Sequence, residues 1–185
     1  MQAIIFDCFG VLTTDYWREF VARMPLAAQS TLNDLNKAYD AGFIPLAEYL
    51  SSVEAACGHR PELVEANHGG ATKNQELLAV IRSLKTNYKI GLLSNIASNW
   101  ITEKFLTEAE QQLFDSMIFS HTVKLTKPDA AIFELMAERL GVEPANCLMV
   151  DDLEINCEGA KAVGMQAVLY QNLSQLKTDL AVVLK

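Results

Sequence analysis

Short apolar runs alternate with amphipathic stretches along this chain, most regularly in its second half. Five of these runs predict β-strands: Ala3–Phe6, Lys89–Leu93, Ser116–Ser120, Cys147–Val150 and Gln166–Tyr170. Each run is short and apolar enough to be buried on both faces, as strands of parallel sheets are. Helical spacing predicts the following helices between and after them: Asn74–Lys85, Ser98–Phe105, Pro128–Leu140, Glu154–Val163 and Leu173–Val183. The alternation predicts an α/β fold, a doubly wound, Rossmann-like parallel sheet of five strands with helices on both faces.

Residues 13–73 interrupt this alternation, because their apolar residues recur only at helical spacing. They predict three helices, which are Tyr16–Met24, Ala27–Tyr39 and Pro45–Cys57, separated by Pro25, Gly42 and residues 58–61. Proline and glycine commonly end helices, so this punctuation supports separate helices rather than one long one. The chain is therefore predicted to consist of a core, residues 1–12 and 74–185, with an inserted helical cap, residues 13–73.

Composition narrows the class of partner. The 185 residues are 50% hydrophobic and carry a formal net charge of −8, with no basic run that could follow a nucleic-acid backbone. A small anionic ligand remains compatible, since a few local cations and backbone N–H groups can hold one phosphate. The N-terminus lacks the pattern of a signal peptide, no segment predicts a membrane span, and the four cysteines are scattered like reduced thiols. We therefore expect a cytoplasmic protein that binds neither nucleic acid nor membrane.

Polar residues follow four of the predicted strands where those strands end. Asp7 follows the first strand, Ser94–Asn95 the second, Lys127 comes soon after the third, and Asp151–Asp152 follow the fourth. The carboxyl ends of parallel strands share one edge of a sheet, and ligands bind there. Carboxylates crowded at one point repel each other unless a cation joins them. The sequence therefore predicts a site that holds a metal ion, a lysine ammonium or both.

Four segments at this edge also carry a resemblance to a known family. They are IIFDCFGVL over Ile4–Leu12, LLSN over Leu92–Asn95, KPDAAIF over Lys127–Phe133 and MVDDLEINCEGA over Met149–Ala160. In this order they resemble the four motifs of the haloacid dehalogenase superfamily, and the resemblance covers nearly the whole chain. It implies a hydrolase with a helical cap over its site.

The resemblance also assigns roles to individual residues. It makes Asp7 the nucleophile, Ser94 a hydrogen-bond donor to the transferred group, and Lys127 the cation that holds this group. It further implies a Mg²⁺ site formed by the Asp7 carboxylate, the Phe9 carbonyl and Asp152, with Asp151 beside them. Mg²⁺ prefers a few hard oxygen ligands completed by water, which agrees with this set.

Phe9 departs from the family pattern. Phosphatases of this superfamily usually carry an Asp two residues after the nucleophile, where it protonates the leaving oxygen and later activates water; a phenyl ring transfers no proton. Three functions stay open: a Mg²⁺-dependent phosphatase of a small phosphorylated metabolite, a metal-independent 2-haloacid dehalogenase, and a non-catalytic binding protein. The dehalogenases carry an aromatic residue at this place but lack the paired acids that stand here at Asp151 and Asp152.

Three further residues are candidates for binding the substrate: Asn95, Asp15 and Arg18. Asp15 follows the first motif and could supply the missing proton, although an N-cap of the next helix explains it equally well. Arg18 is the one early candidate for the arginine with which dehalogenases bind carboxylate and halide, although a solvated helix surface also explains it.

Overall fold

A computed structural model describes residues 1–59 and 72–184. Its sheet has five parallel strands in the order β3-β2-β1-β4-β5. The strands are β1 (Ala3–Phe6), β2 (Lys89–Ser94), β3 (Ser116–Phe119), β4 (Cys147–Asp151) and β5 (Gln166–Leu169). The predicted α/β fold and its five strands are confirmed. Two strands run one residue further than predicted, because Ser94 pairs with Phe119 and Asp151 with Leu169 in the ladder.

Helices connect the strands and cover the sheet. They are α1 (Tyr16–Ala22), α2 (Leu26–Asp40), α3 (Leu46–Cys57), α4 (Gln75–Leu84), α5 (Glu108–Gln111), α6 (Ser120–Val123), α7 (Ala130–Leu140), α8 (Glu154–Ala162) and α9 (Leu173–Val183), with a 3₁₀ turn at Pro144–Asn146. The predicted helix over Ser98–Phe105 is wrong in type, because only a π-helical turn forms there, Ile101–Phe105. The predicted start at Pro128 is also wrong, since α7 begins at Ala130.

The core lies on both faces of the sheet. Side chains of β1 alternate between the faces: Ile4 and Phe6 belong to the apolar cluster that includes α4 and α9, whereas Ala3 and Ile5 belong to the cluster that includes α7 and α8. All four are completely buried. Full burial on both faces explains why β1 has an uninterrupted apolar sequence rather than an alternating one.

Helices α1 to α3 form a smaller cluster of their own around Leu32 and Val53, which are both completely buried. Among the described residues, three polar contacts join the end of α2 and the turn after it to the rest of the protein. Ser120 Oγ donates to the Asp40 carbonyl at 2.6 Å, Lys124 Nζ donates to the Gly42 carbonyl at 2.9 Å, and Lys37 Nζ lies 3.3 Å from an Asp129 oxygen. These contacts hold the end of α2 against the loops that follow β3.

The division into a core of residues 1–12 and 74–185 and a cap of residues 13–73 stays a prediction. Residues 60–71 of the predicted cap lie outside the described residues. Within the described ranges, no helix is long and apolar enough to cross a membrane.

Asn74 joins three parts of the fold and provides a test of it. Its Oδ1 accepts from Leu77 N–H and caps α4, while its Nδ2 lies 3.0 Å from the Tyr170 hydroxyl and 3.4 Å from the Val11 carbonyl. Asn74→Ala should lower the free energy of unfolding by roughly 2–3 kcal/mol, because a lost cap costs about 1 kcal/mol and the amide contacts add to it. Urea unfolding measures this loss.

Asn172→Ala is the matched control for this prediction. Asn172 caps α9 through one hydrogen bond, to Gln175 N–H at 3.0 Å. Its replacement should cost only about 1 kcal/mol. Equal losses for the two variants would show that Asn74 acts as a simple cap.

Candidate active site

The predicted polar residues meet at the carboxyl edge of the sheet, and Lys127 lies at their centre. Its Nζ lies 2.8 Å from an Asp7 oxygen and 2.6 Å from an Asp151 oxygen. The two carboxylates follow neighbouring strands β1 and β4, which brings them together, and the Lys127 side chain is almost completely buried between them. A buried ammonium with two carboxylate partners is the arrangement that the sequence predicted for crowded acids.

The backbone of Lys127 is fixed by Asn95. The Asn95 amide donates to the Lys127 carbonyl at 3.0 Å, and its oxygen accepts from Lys127 N–H at 2.9 Å. Burial by itself would lower the pKa of Lys127, but the ion pairs with Asp151 and Asp7 raise it. The ammonium is therefore charged throughout the physiological pH range. Asn95 thus positions this cation, and its predicted contact with substrate stays a prediction.

Asp7 is placed by backbone hydrogen bonds. Its N–H donates to the Val150 carbonyl at 2.9 Å, and its Oδ1 accepts from Cys8 N–H at 2.6 Å. Burial raises the pKa of Asp7 well above its usual range; Lys127 opposes this shift, whereas Asp151 and Asp152 add to it. A carboxylate acts as a nucleophile only when it is ionised. A further positive charge near Asp7 would therefore favour the ionised form of this carboxyl.

Asp151 is completely buried and fully hydrogen-bonded. Besides the contact with Lys127, its Oδ1 accepts from Leu153 N–H at 2.9 Å and from the Asn156 amide at 3.0 Å. This geometry suits the orienting role that the sequence predicted for Asp151. Asn156 is not among the residues predicted from the sequence, although it stands in the fourth quoted segment and near the start of α8, from where its amide reaches back to Asp151 at the end of β4.

Asp152 has a different environment. Its side chain is only 6% exposed and lies 2.5 Å from Arg18 Nη1, yet neither carboxylate oxygen takes a directional hydrogen bond among the described residues. Burial raises its pKa, and Arg18 opposes the shift. Gly10 makes room for this carboxylate, because a Cβ at Gly10, where φ is +84°, would collide with it. The absence of a side chain at Gly10 therefore lets the Asp152 carboxylate lie directly against the loop that follows β1.

These acids could hold a metal ion. Asp7, Asp151 and Asp152 can each offer one oxygen such that the three atoms lie within 4.8 Å of one another. Hard carboxylate oxygens, two of them without directional hydrogen bonds, fit Mg²⁺ better than a softer metal. The Phe9 carbonyl stays a predicted ligand.

A cavity of about 620 Å³ opens over this edge, between the helices α1 to α3 and the sheet. Six of the predicted site residues line it: Asp7, Phe9, Asp15, Arg18, Asn95 and Lys127. Ser94 is completely buried and does not line the cavity, and its Oγ has no hydrogen-bond partner among the described residues. An unpartnered hydroxyl is free to donate, so its predicted role stays a prediction.

Three lining residues have a contact that sequence reasoning had left undecided. Phe9 is stacked on Trp100 with ring centroids 6.0 Å apart. Asp15 caps α1 by accepting from Arg18 N–H at 3.0 Å, as its structural interpretation predicted. Arg18 is half exposed, as a solvated helix residue would be, and it is also ion-paired with Asp152. No sequence pattern indicated that pair, because it depends on how α1 lies against the sheet.

The similarity of this chain to known proteins agrees with the geometry of the site. A family model described as haloacid dehalogenase-like hydrolase matches residues 1–164. The chain belongs to this hydrolase family. The predicted resemblance is thereby confirmed.

Two curated relatives are named as phosphatases. Phosphatase MT3486 of Mycobacterium tuberculosis is 26% identical over 96% of this chain and 90% of its own length. N-acylneuraminate-9-phosphatase of the rat is 31% identical over 56% of this chain, a match that spans 42% of that relative.

Solved structures share the fold of this hydrolase. A predicted hydrolase of the family from Porphyromonas gingivalis has a TM-score of 0.75 at 21% identity, covering 100% of this chain and 98% of its own. A family enzyme from Bacteroides thetaiotaomicron, crystallised with magnesium and inorganic phosphate, has a TM-score of 0.68 at 21% identity, covering 95% and 98%. A 2-haloacid dehalogenase from Pseudomonas syringae pv. Tomato has a TM-score of 0.64 at 16% identity, covering 98% and 99%. The fold alone therefore does not separate a phosphatase from a dehalogenase.

Lys127→Met tests the buried ion-pair cluster. The variant should lose roughly 3–5 kcal/mol of stability, because Asp7 and Asp151 stay buried without their cation. It should also respond to pH. The folded pKa of Asp7 is raised already and rises further without Lys127, so stability is present below the unfolded pKa and is lost as the pH rises through the folded pKa. The loss should thus be larger at about pH 8 than at about pH 5.

Urea unfolding in the presence of chelator measures this effect, with Lys161→Met as the control. Lys161 is an exposed lysine of α8 and should change stability little at either pH. A loss for Lys127→Met that does not depend on pH would contradict the assigned electrostatics.

Proposed function

We propose that this hydrolase is a Mg²⁺-dependent phosphatase of a small phosphorylated metabolite, acting through an aspartyl-phosphate on Asp7. The observation that carries the proposal is the Lys127 ammonium within 2.8 Å of both Asp7 and Asp151, with the buried Asp152 carboxylate beside them, whose oxygens take no directional hydrogen bond among the described residues. The names of the two curated relatives support the phosphatase class.

In the first step an Asp7 oxygen attacks phosphorus, and the bond from phosphorus to the leaving oxygen breaks. The leaving oxygen keeps that electron pair and takes one proton from solvent water, because the Phe9 ring has no transferable proton, and the water that attacks in the second step returns one proton to solvent. In the second step water attacks the same phosphorus, the bond from phosphorus to Asp7 breaks, and inorganic phosphate leaves with the carboxylate restored. Lys127 touches Asp7 and is placed to neutralise the transferred group in both steps, and the buried Ser94 hydroxyl is proposed as a second donor to it.

Asp7, Asp152 and the Phe9 carbonyl are the residues that would hold Mg²⁺, and Asp151 would orient them. Bound Mg²⁺ supplies positive charge that neutralises phosphoryl oxygens during transfer. Its charge would also favour the ionised form of Asp7, whose pKa is raised. The nucleophile has to be ionised while an anionic substrate approaches. The residues around Asp7 therefore fit a cation of higher charge than Lys127 alone provides.

The substrate is proposed to bind in the cavity above Asp7 as a small molecule, with Asp15, Arg18 and Asn95 as contacts. We propose that this reaction takes place in the cytoplasm. We expect neither nucleic acid nor membrane as a partner, since the net charge is −8 and the chain has no basic run.

The dehalogenase alternative has one observation in its favour. Phe9 offers no proton, and a halide leaves without needing one, while Arg18 lines the same cavity. Against it stand Asp151 and Asp152, because three acids within 4.8 Å gain nothing from being retained where no metal neutralises them. A chelator separates the two functions.

The first activity test is a turnover panel of phosphorylated metabolites, p-nitrophenyl phosphate and 2-chloropropionate, each with Mg²⁺ and with chelator. Phosphate release should require Mg²⁺, and Asp7→Asn should abolish it because an amide cannot form the acyl phosphate. Asp152→Asn should lower both metal affinity and Mg²⁺-dependent rate. Release of halide that is indifferent to chelator would instead identify a dehalogenase.

Phe9 provides the sharpest test of the mechanism. Phe9→Asp should raise the phosphatase rate, by up to roughly 10²-fold, because general acid-base catalysis typically contributes 10²–10⁴-fold and the new carboxylate is not pre-positioned. Phe9→Leu is the matched control, since it also removes the ring from Trp100 but adds no carboxylate. It should leave the rate unchanged or lower it. If neither the native protein nor Phe9→Asp turns over any phosphate ester with Mg²⁺, the non-catalytic alternative is favoured.

A further inference from the structure

The ion pair between Arg18 and Asp152 joins two separate parts of the chain. Arg18 lies in α1, which follows the first strand, whereas Asp152 directly follows β4. The distance from Arg18 Nη1 to Asp152 Oδ2 is 2.5 Å. The guanidinium therefore reaches across the cavity wall to the carboxylate that would bind the metal ion most directly.

This carboxylate has few other partners. Both Asp152 oxygens are shielded from solvent, and neither takes a directional hydrogen bond among the described residues. Asp151 differs, because its oxygens accept from Lys127, Leu153 N–H and Asn156. Among these acids, Asp152 is therefore the one whose charge is balanced mainly by Arg18, a cation that can move away.

A second carboxylate, that of Asp15, lies near the Arg18 side chain. The Arg18 side chain is 51% exposed, it lines the cavity, and its Nε lies 4.0 Å from an Asp15 oxygen one turn earlier. Asp15 is therefore a second carboxylate within reach of the same guanidinium. Lys127 is less free to move, since its side chain is only 1% exposed and its backbone is fixed by Asn95.

We propose that Arg18 and a divalent cation compete for Asp152, so that Arg18 sets the metal affinity of the site. Resting on the proposed metal site, this inference assigns Arg18 a role before substrate binds. A guanidinium and Mg²⁺ repel each other and seek the same oxygen, so occupancy by one weakens the other. Metal binding then turns Arg18 toward the cavity, where its charge faces an anionic group of the substrate.

Metal titration of the full chain without substrate tests this directly. Arg18→Gln should bind Mg²⁺ roughly tenfold more tightly than the native protein, the size of effect that residues next to metal ligands commonly have. Isothermal titration calorimetry, or competition with Mn²⁺ followed by its magnetic resonance signal, gives the affinity. Unchanged or weaker binding by Arg18→Gln would overturn the proposal.

Arg23→Gln is the matched control, because Arg23 ends the same helix and only approaches Glu19 on the surface, at 4.0 Å. It removes the same charge from α1 and should change the affinity less than about twofold, since exposed distant charges are screened. Equal effects of the two variants would show that only the total charge matters. If Arg18→Gln fails to fold, Arg18→Lys should change the affinity in the same direction by a smaller factor, because lysine keeps the charge but loses the planar fork.

The result is independent of turnover. Tighter metal binding by Arg18→Gln in a protein that hydrolyses no phosphate ester would support the competition and contradict the phosphatase. If the native protein binds no Mg²⁺, gain of binding in Arg18→Gln would still support the competition. Absence of binding in both would overturn it together with the proposed metal site.

Discussion

The buried ammonium of Lys127 is the interaction on which the arrangement of this site depends. Strands β1 and β4 are neighbours, so Asp7 and Asp151 emerge side by side at the end of the sheet. Two buried carboxylates that lie side by side would repel each other, and this repulsion would favour protonation of one of them. Lys127 lies within 2.8 Å of both and removes that cost. The loop that carries Lys127 is in turn held by Asn95, which follows β2. This one cation therefore connects the ends of three strands.

Charge balance then explains what the site still needs. Asp7, Asp151 and Asp152 carry three negative charges when ionised, against the buried Lys127 and the half-exposed Arg18. The site therefore keeps one net negative charge at the place where an anionic phosphoryl group would have to approach. A divalent cation in place of Arg18 would cancel that charge, because together with Lys127 it supplies three positive charges, whereas the paired guanidinium leaves one negative charge uncompensated. This is why the Asp152 carboxylate, which lies against Gly10 and takes no directional hydrogen bond among the described residues, matters more than the number of acids.

Much of this could be predicted from the sequence, for physical reasons that differ between residues. β1 is buried on both faces, so its apolar run and the polar Asp7 after it are visible without any structure. The meeting of Asp7, Lys127 and Asp151 follows from parallel strands ending at one edge. The contact between Arg18 and Asp152 could not be predicted, because nothing local fixes how α1 lies against the sheet. The π-helical turn at Ile101–Phe105 was missed for a related reason, since periodicity alone does not separate one helical hydrogen-bonding pattern from another.

Phe9 shows how packing and chemistry compete at a single position. It follows Asp7 by two residues, lines the cavity and stacks on Trp100, which in turn stacks on Phe105 at 4.9 Å. The ring thus extends the apolar cluster of one sheet face up to the edge of the site. An aspartate there would give up that stack to gain a proton donor, while Phe9 keeps the apolar contact and leaves proton transfer to another group. Asp15 lines the same cavity, but its Oδ1 already caps α1, which leaves only its other oxygen for proton transfer. If Asp7 is the nucleophile, as proposed, the strength of catalysis should therefore depend on how this loop and the first helix share their few polar groups, because the backbone already holds Asp7 firmly.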